Sequence, residues 1–137
     1  MKRIVIFASG SGTNAENIIN HFKNSSIASV VMVLSNKSDA KVLEKASSLG
    51  VANSSFDKVD LFENNTIHNL LKKINPDIIV LAGFLLKFPA DIISTFPNRI
   101  INVHPALLPK YGGKGMYGQF VHKAVVANNE VESGISI

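Results

Sequence analysis

Short apolar runs alternate along this chain with segments whose apolar residues recur every three or four positions. Ile4-Val5-Ile6-Phe7-Ala8 has no internal alternation, as expected of a strand covered on both faces. Ala15, Ile18, Ile19 and Phe22 mark the buried stripe of a first helix. Thr13 reads as its cap, with Glu16 completing a capping box. Val30 to Leu34 predicts a second strand. A second helix starts at Ser38, turns Val42, Leu43, Ala46 and Leu49 inward, and closes at Gly50. Val51 to Ser55 reads as a short strand. A third helix is expected from Asp60 to Ile74, with Ile67, Leu70, Leu71 and Ile74 inward and Asn75-Pro76 as its stop.

Ile78 to Leu81 predicts the central strand, and Pro89 suits the first turn of a short helix through Ile92 and Ile93. Ile100 to Val103 is the next strand. Residues 104–118 form a long loop rich in Gly and Pro, of the kind that usually serves function. A last helix covers Gln119 to Asn128, and Gly134 to Ile137 looks like the start of another strand. This alternation predicts an α/β fold, an open and mostly parallel sheet with helices on both faces. One domain over residues 1–137 is expected. The sequence stops inside its last predicted strand, which reads as a domain incomplete at its C-terminus.

Composition narrows the chemistry. The chain has no cysteine, so disulfides, thiolate metal sites and Cys nucleophiles are excluded, and a cytoplasmic setting fits. The apolar stretch behind Met1-Lys2-Arg3 is too short for a signal sequence, and no run is long enough to span a membrane. The formal charge of +4 does not point to nucleic acid. Lys37, Lys41 and Lys45 fall on one helical stripe with Asp39 and Glu44 between them, the mark of a solvated face. No aromatic residues interleave with the basic ones as a single-strand groove requires. A modest positive balance suits anionic small substrates. His21, His68 and His122 are scattered, without metal-ligand spacing, so no metal is expected.

Two sites stand out. Asn102 and His104 are two apart at the end of a predicted strand, so their side chains share a face, and Pro105 ends the ladder there. Strand ends of open α/β sheets are where ligands bind. Gly10-Ser11-Gly12-Thr13-Asn14-Ala15 lies between a strand and a helix and satisfies the dinucleotide fingerprint. A dinucleotide site also needs an acidic residue at the end of the second strand, and that strand ends Leu34-Ser35-Asn36-Lys37. The turn therefore reads as a cradle for one phosphate at a helix N-terminus. Leu81-Ala82-Gly83-Phe84-Leu85-Leu86-Lys87-Phe88 leads from a buried strand into bulky apolar residues, either core or a slot for a flat heterocycle.

Asn102-Val103-His104-Pro105-Ala106-Leu107-Leu108-Pro109, together with Leu81-Ala82-Gly83-Phe84 and Ser9-Gly10-Ser11-Gly12-Thr13-Asn14, resembles the folate-dependent formyltransferases over nearly the whole chain. The resemblance implies a Rossmann-like fold and transfer of a formyl group from 10-formyltetrahydrofolate to the amine of glycinamide ribonucleotide, a step of purine biosynthesis. It implies that Asn102 and His104 lie beside the formyl group and that Gly12, Thr13 and Asn14 hold the ribose phosphate. Leu85, Leu86, Lys87 and Phe88, with Asn102, are implied to line the folate site. Here the chain departs from the family, which commonly reads Met-Arg-Ile-Leu at these four positions; the cation has moved to Lys87. The loop Tyr111 to Gly118 is longer than in relatives, as a lid or a neutral insertion. The family pattern also implies an Asp beyond Ile137 that orients His104, so little formyl transfer is expected of residues 1–137 alone. Methionyl-tRNA formyltransferase and formyltetrahydrofolate hydrolase share the Asn-x-His-Pro core, and a non-catalytic nucleotide-binding module is the alternative from another class. The oligomeric state stays open, a homodimer included.

Overall fold

The computed structural model describes residues 1–103. Its elements are β1 (Lys2–Phe7), α1 (Thr13–Phe22), β2 (Ala28–Ser35), α2 (Lys41–Ser48), β3 (Asn53–Ser55), α3 (Lys58–Phe62), α4 (Thr66–Ile74), β4 (Ile78–Ala82), α5 (Ala90–Thr95) and β5 (Ile100–Val103). The described strands form one sheet in the order β3-β2-β1-β4-β5, and every pairing is parallel. The chain winds outward from β1 to β3, then returns to the other side of β1 for β4 and β5. The reversal lies between β1 and β4.

The unalternating apolar run of β1 buries both faces of the sheet. Ile4, Ile6 and Ala8 join Ala15 and Ile19 of α1 and Val42 and Ala46 of α2 in one core. Val5 and Phe7 join Leu61 of α3, Ile67 and Leu71 of α4 and Ile92 of α5 in the other. Helices therefore cover both faces, as predicted. Phe7 is wholly buried and meets Phe56, Phe84 and Phe88 edge-on at centroid distances of 5.8, 5.4 and 5.0 Å. Such edge-to-face pairs place a ring's positive rim on its neighbour's negative face. They join β1 to the segments that follow β3 and β4.

Several boundaries differ from the sequence reading, each for a local reason. The helix expected from Asp60 to Ile74 is two helices. Asn65 adopts the left-handed conformation (φ 60), and the Asn64 side chain accepts from both the N–H and the hydroxyl of Thr66. Asn side chains offer the backbone this alternative to helix. The capping box is at α3 rather than α1: Asp57 accepts from the Asp60 N–H at 2.8 Å, and Asp60 accepts from the Asp57 N–H at 3.1 Å. That last bond above all, and then the Asn64 amide, hold the Asp60 carboxyl below its ordinary range.

At α1 the cap is Gly12, without a side-chain bond, and Thr13 is the first helical residue. The second helix starts at Lys41, with Ser38 in a preceding turn, so Lys37 lies off the stripe of Lys41 and Lys45. Lys45 stands 3.9 Å from Glu16 of α1. Pro89 caps α5 instead of entering its first turn. The short third strand is trimmed to Asn53–Ser55. Of the five described strands β1 is the middle one, with β4 beside it. His68 ties α4 to α5: its Nε2 is 2.8 Å from the Thr95 hydroxyl and its Nδ1 is 3.4 Å from Asp91. The predicted loop 104–118, the helix at 119–128 with His122, and the strand at 134–137 lie outside the described residues.

Phe7 joins β1 to the segments after β3 and β4, so Phe7→Ala is expected to destabilise the fold by about 3–5 kcal/mol. Denaturant unfolding measures this; a loss below about 1 kcal/mol contradicts the packing described.

Candidate active site

Ligands of open α/β sheets bind outside the carboxyl ends of the strands where strand order reverses. Here that point is the gap between the ends of β1 and β4. The turn Gly10 to Asn14 leaves the end of β1 and enters α1, whose first backbone N–H groups have no partner within the helix. Such unpaired N–H groups, with the positive end of the helix dipole, are the kind of donors an anion can use. Ser11 and Thr13 are exposed and Asn14 is half-buried; the two hydroxyls stand 3.4 Å apart. All three side chains therefore rim the turn with polar groups.

Gly12 has a second, purely structural reason to be glycine. Its φ is +75°, and an added Cβ would lie 2.4 Å from Val42 Cγ2 and 2.8 Å from Val42 Cα. The Val42 N–H also donates to the Gly10 carbonyl at 3.1 Å. The glycine turn is thus pressed against the start of α2. Gly10, by contrast, has open space where a Cβ would stand.

The end of β2 holds no acid and points its polar group inward. Asn36 accepts a hydrogen bond from Ser9 at 2.6 Å, and Ser35 is fully buried, accepting from the Lys37 N–H at 3.2 Å. The position where a dinucleotide's ribose would be held is occupied by this network. The bond between Ser9 and Asn36 was not foreseen from the sequence.

Asn102 sits near the end of β5. One register row crosses the sheet from Leu34 through Phe7 and Leu81 to Asn102. Strands lie about 4.8 Å apart, so Asn102 is roughly 10 Å across the sheet from β1. It is exposed and lines a cavity of about 360 Å³ whose other described walls are Leu81, Phe88, Ile93, Phe96, Asn98 and Ile100. The lining is mainly apolar with two amides, Asn98 and Asn102. Phe88 and Asn102, both named from the sequence, share this cavity.

Leu85 and Lys87 are exposed, Leu86 is half-buried, and none of the three lines the cavity. Ile93, Phe96 and Asn98 were not foreseen. The turn signal at Pro97-Asn98, where Asn98 takes φ 60, was the only clue to them. His104 lies outside the described residues. Among the described residues no group of His, Asp or Glu could hold a metal ion.

The fold defines a doubly wound α/β domain whose strand order reverses between β1 and β4. Residues 2–137 match the formyl transferase family, and the chain belongs to that family. It is 37% identical over 142 residues to a chloroplastic phosphoribosylglycinamide formyltransferase of Arabidopsis thaliana, covering 99% of this chain and 49% of the plant protein. To the phosphoribosylglycinamide formyltransferase of Escherichia coli K12 it is 36% identical, over 98% of this chain and 63% of that one. The chain thus spans about half to two thirds of the length of these relatives. The crystal structure of phosphoribosylglycinamide formyltransferase from Brucella melitensis superposes with a TM-score of 0.78 at 30% identity, covering 98% of this chain and 76% of the other.

Gly12→Ala is expected to destabilise the protein by at least about 2 kcal/mol, since it adds left-handed strain to a clash with backbone. Gly10→Ala should change stability by less than about 0.5 kcal/mol. Thermal unfolding of the two variants side by side checks this, and equal losses would contradict the close approach of Gly12 to Val42.

Proposed function

We propose that the protein transfers a formyl group from 10-formyltetrahydrofolate to the primary amine of glycinamide ribonucleotide. The observation that carries this reading is that the glycine turn at the end of β1 and Asn102 at the end of β5 stand on one carboxyl edge, Asn102 in the register row of Phe7. A ribose phosphate carrying a short amine-bearing arm can span the distance between the two. The family membership and the names of the relatives support the same reaction.

In this reading the N–H groups and side chains of Gly12, Thr13 and Asn14 hold the ribose phosphate. The folate ring occupies the apolar cavity beside Phe88 and Asn102, with Leu85, Leu86 and Lys87 along its mouth. The amine attacks the formyl carbon and the carbonyl oxygen becomes an oxyanion. The Asn102 amide donates to that oxygen, and a donor fixed where charge develops is the main catalytic device. His104 donates to the same oxygen or carries the proton from the attacking to the leaving nitrogen. The carboxylate that the family pattern implies beyond Ile137 orients the His104 ring. Catalysis needs no metal in this scheme, and the domain works in the cytoplasm, alone or as a homodimer, without nucleic acid. Among the described residues no helix is long and apolar enough to cross a membrane.

The second family activity, formylation of methionyl-tRNA, requires a nucleic-acid surface, and the separation of the basic residues does not favour one. The test is an assay of a version that carries the downstream carboxylate, with 10-formyltetrahydrofolate and glycinamide ribonucleotide, run beside methionyl-tRNA and beside no acceptor. Formyl transfer to the ribonucleotide alone is expected; transfer only to the tRNA, or release of formate, contradicts the reading. In that longer version Asn102→Ala and His104→Ala should each lower turnover by about 10²–10³, far more than they weaken ground-state binding. Near-normal turnover in either variant removes that residue from the mechanism. Inorganic phosphate should compete with glycinamide ribonucleotide at the glycine turn, and a phosphate-soaked crystal with that turn empty would count against the assignment.

A further inference from the structure

Ser9 is the first residue after the buried run of β1, only 2% exposed, and its N–H and hydroxyl are both engaged across the sheet. Its N–H donates to the Gly83 carbonyl at 3.3 Å. Its Oγ accepts from the Leu85 N–H at 2.9 Å. The one proton of the hydroxyl goes to Asn36 Oδ1 at 2.6 Å, a separation suited to O–H···O. The direction of each bond is fixed, because a backbone N–H only donates and an amide oxygen only accepts.

These bonds reach the loops that follow three adjacent strands. Gly83 is in the left-handed region at φ +72°, and the chain bends over Phe84 between the two positions Ser9 holds. Ser9 therefore clamps the bend from both sides, while Phe84 and Phe88 anchor it from below on Phe7. The residue after Ser9 is Gly10, whose carbonyl is tied to Val42 at the start of α2. The N–H and the hydroxyl of Ser9 thus tie the loop Gly83 to Phe88 to the start of the glycine turn.

We propose that Ser9 is a positioning residue that sets the distance between the phosphate turn and the folate-side loop, with Asn36 holding its hydroxyl in the required rotamer. The folate half of this inference rests on the formyl transfer proposed above; the tether itself does not. With the tether gone, the Leu85 N–H loses its partner in a half-buried place, and such a group recovers solvation by opening the loop.

The experiment compares wild type, Ser9→Ala, Asn36→Ala and Asn36→Asp. The last keeps an acceptor for the Ser9 hydroxyl. Amide hydrogen exchange is read at Leu85 and at Ile79, a core amide of β4, and affinity is measured for 5-formyltetrahydrofolate as a stable reduced-folate probe and for inorganic phosphate. Exchange at Leu85 is expected to speed at least tenfold relative to Ile79 in Ser9→Ala and Asn36→Ala, with Asn36→Asp near wild type. The folate probe should bind several-fold more weakly in the two alanine variants while phosphate affinity changes by less than twofold. A general loss of stability would speed Leu85 and Ile79 together and overturn the positioning role. Unchanged Leu85 exchange in Ser9→Ala overturns it as well, as does faster Leu85 exchange with unaltered folate affinity. If wild type itself fails to bind the folate probe, the folate assignment falls, and the Leu85 exchange still decides whether Ser9 holds the loop.

Discussion

The burial of β1 between two cores is the constraint on which everything else in this domain rests. Its residues alternate between faces, so Ile4 and Ile6 hold α1 and α2 while Val5 and Phe7 hold α3, α4 and α5. β1 is also bonded along both edges, to β2 and to β4. A strand committed on all four sides cannot shift register without exposing one core, since a one-residue slip exchanges the faces. The end of β1 is therefore a fixed point. Ser9, the glycine turn and the contact with Val42 are all built outward from it.

Two unlike surfaces are built out from this fixed point. The glycine turn presents backbone groups at a helix start, its geometry set by Gly12 pressed on Val42. The apolar cavity uses side chains of β4, β5 and α5, anchored through Phe88 on Phe7. Each has its own support, and the register row from Phe7 through Leu81 to Asn102 joins them. Donors aimed at a developing charge act only when held within a fraction of an ångström. A rigid sheet edge supplies that, where a free loop would not.

Much of the fold was legible because it depends on pattern. The unbroken apolar runs gave the parallel strands, and the three-and-four spacing of Val42, Ala46, Ile67 and Leu71 gave the inward helix faces. The missing acid after Leu34 turned the glycine motif away from a dinucleotide, and Asn36 bonded to Ser9 gives that absence a structural counterpart. What stayed hidden depends on contacts distant in sequence or on side chains competing for backbone. Ser9 meets Asn36 and Leu85 across 27 and 76 positions, and nothing in the local run announces either. The cap of α1 falls on Gly12 instead of Thr13, where the chain presses on α2. The break between α3 and α4 came from Asn64 and Asn65, whose apolar neighbours continue the helical spacing through it. Ile93, Phe96 and Asn98 enter the cavity through the turn between α5 and β5, where Asn98 takes φ 60, which no spacing rule reports.

The central claim is that one ligand bridges the glycine turn and Asn102 across the carboxyl edge. It is tested most directly by mapping amide chemical shifts of the protein as glycinamide ribonucleotide is added. The account predicts perturbations at Gly10 to Ala15 and at Asn102, with the amides at the opposite edge, near Lys2 and Ile78, unmoved. Shifts confined to the glycine turn, or centred on any other edge, would contradict it.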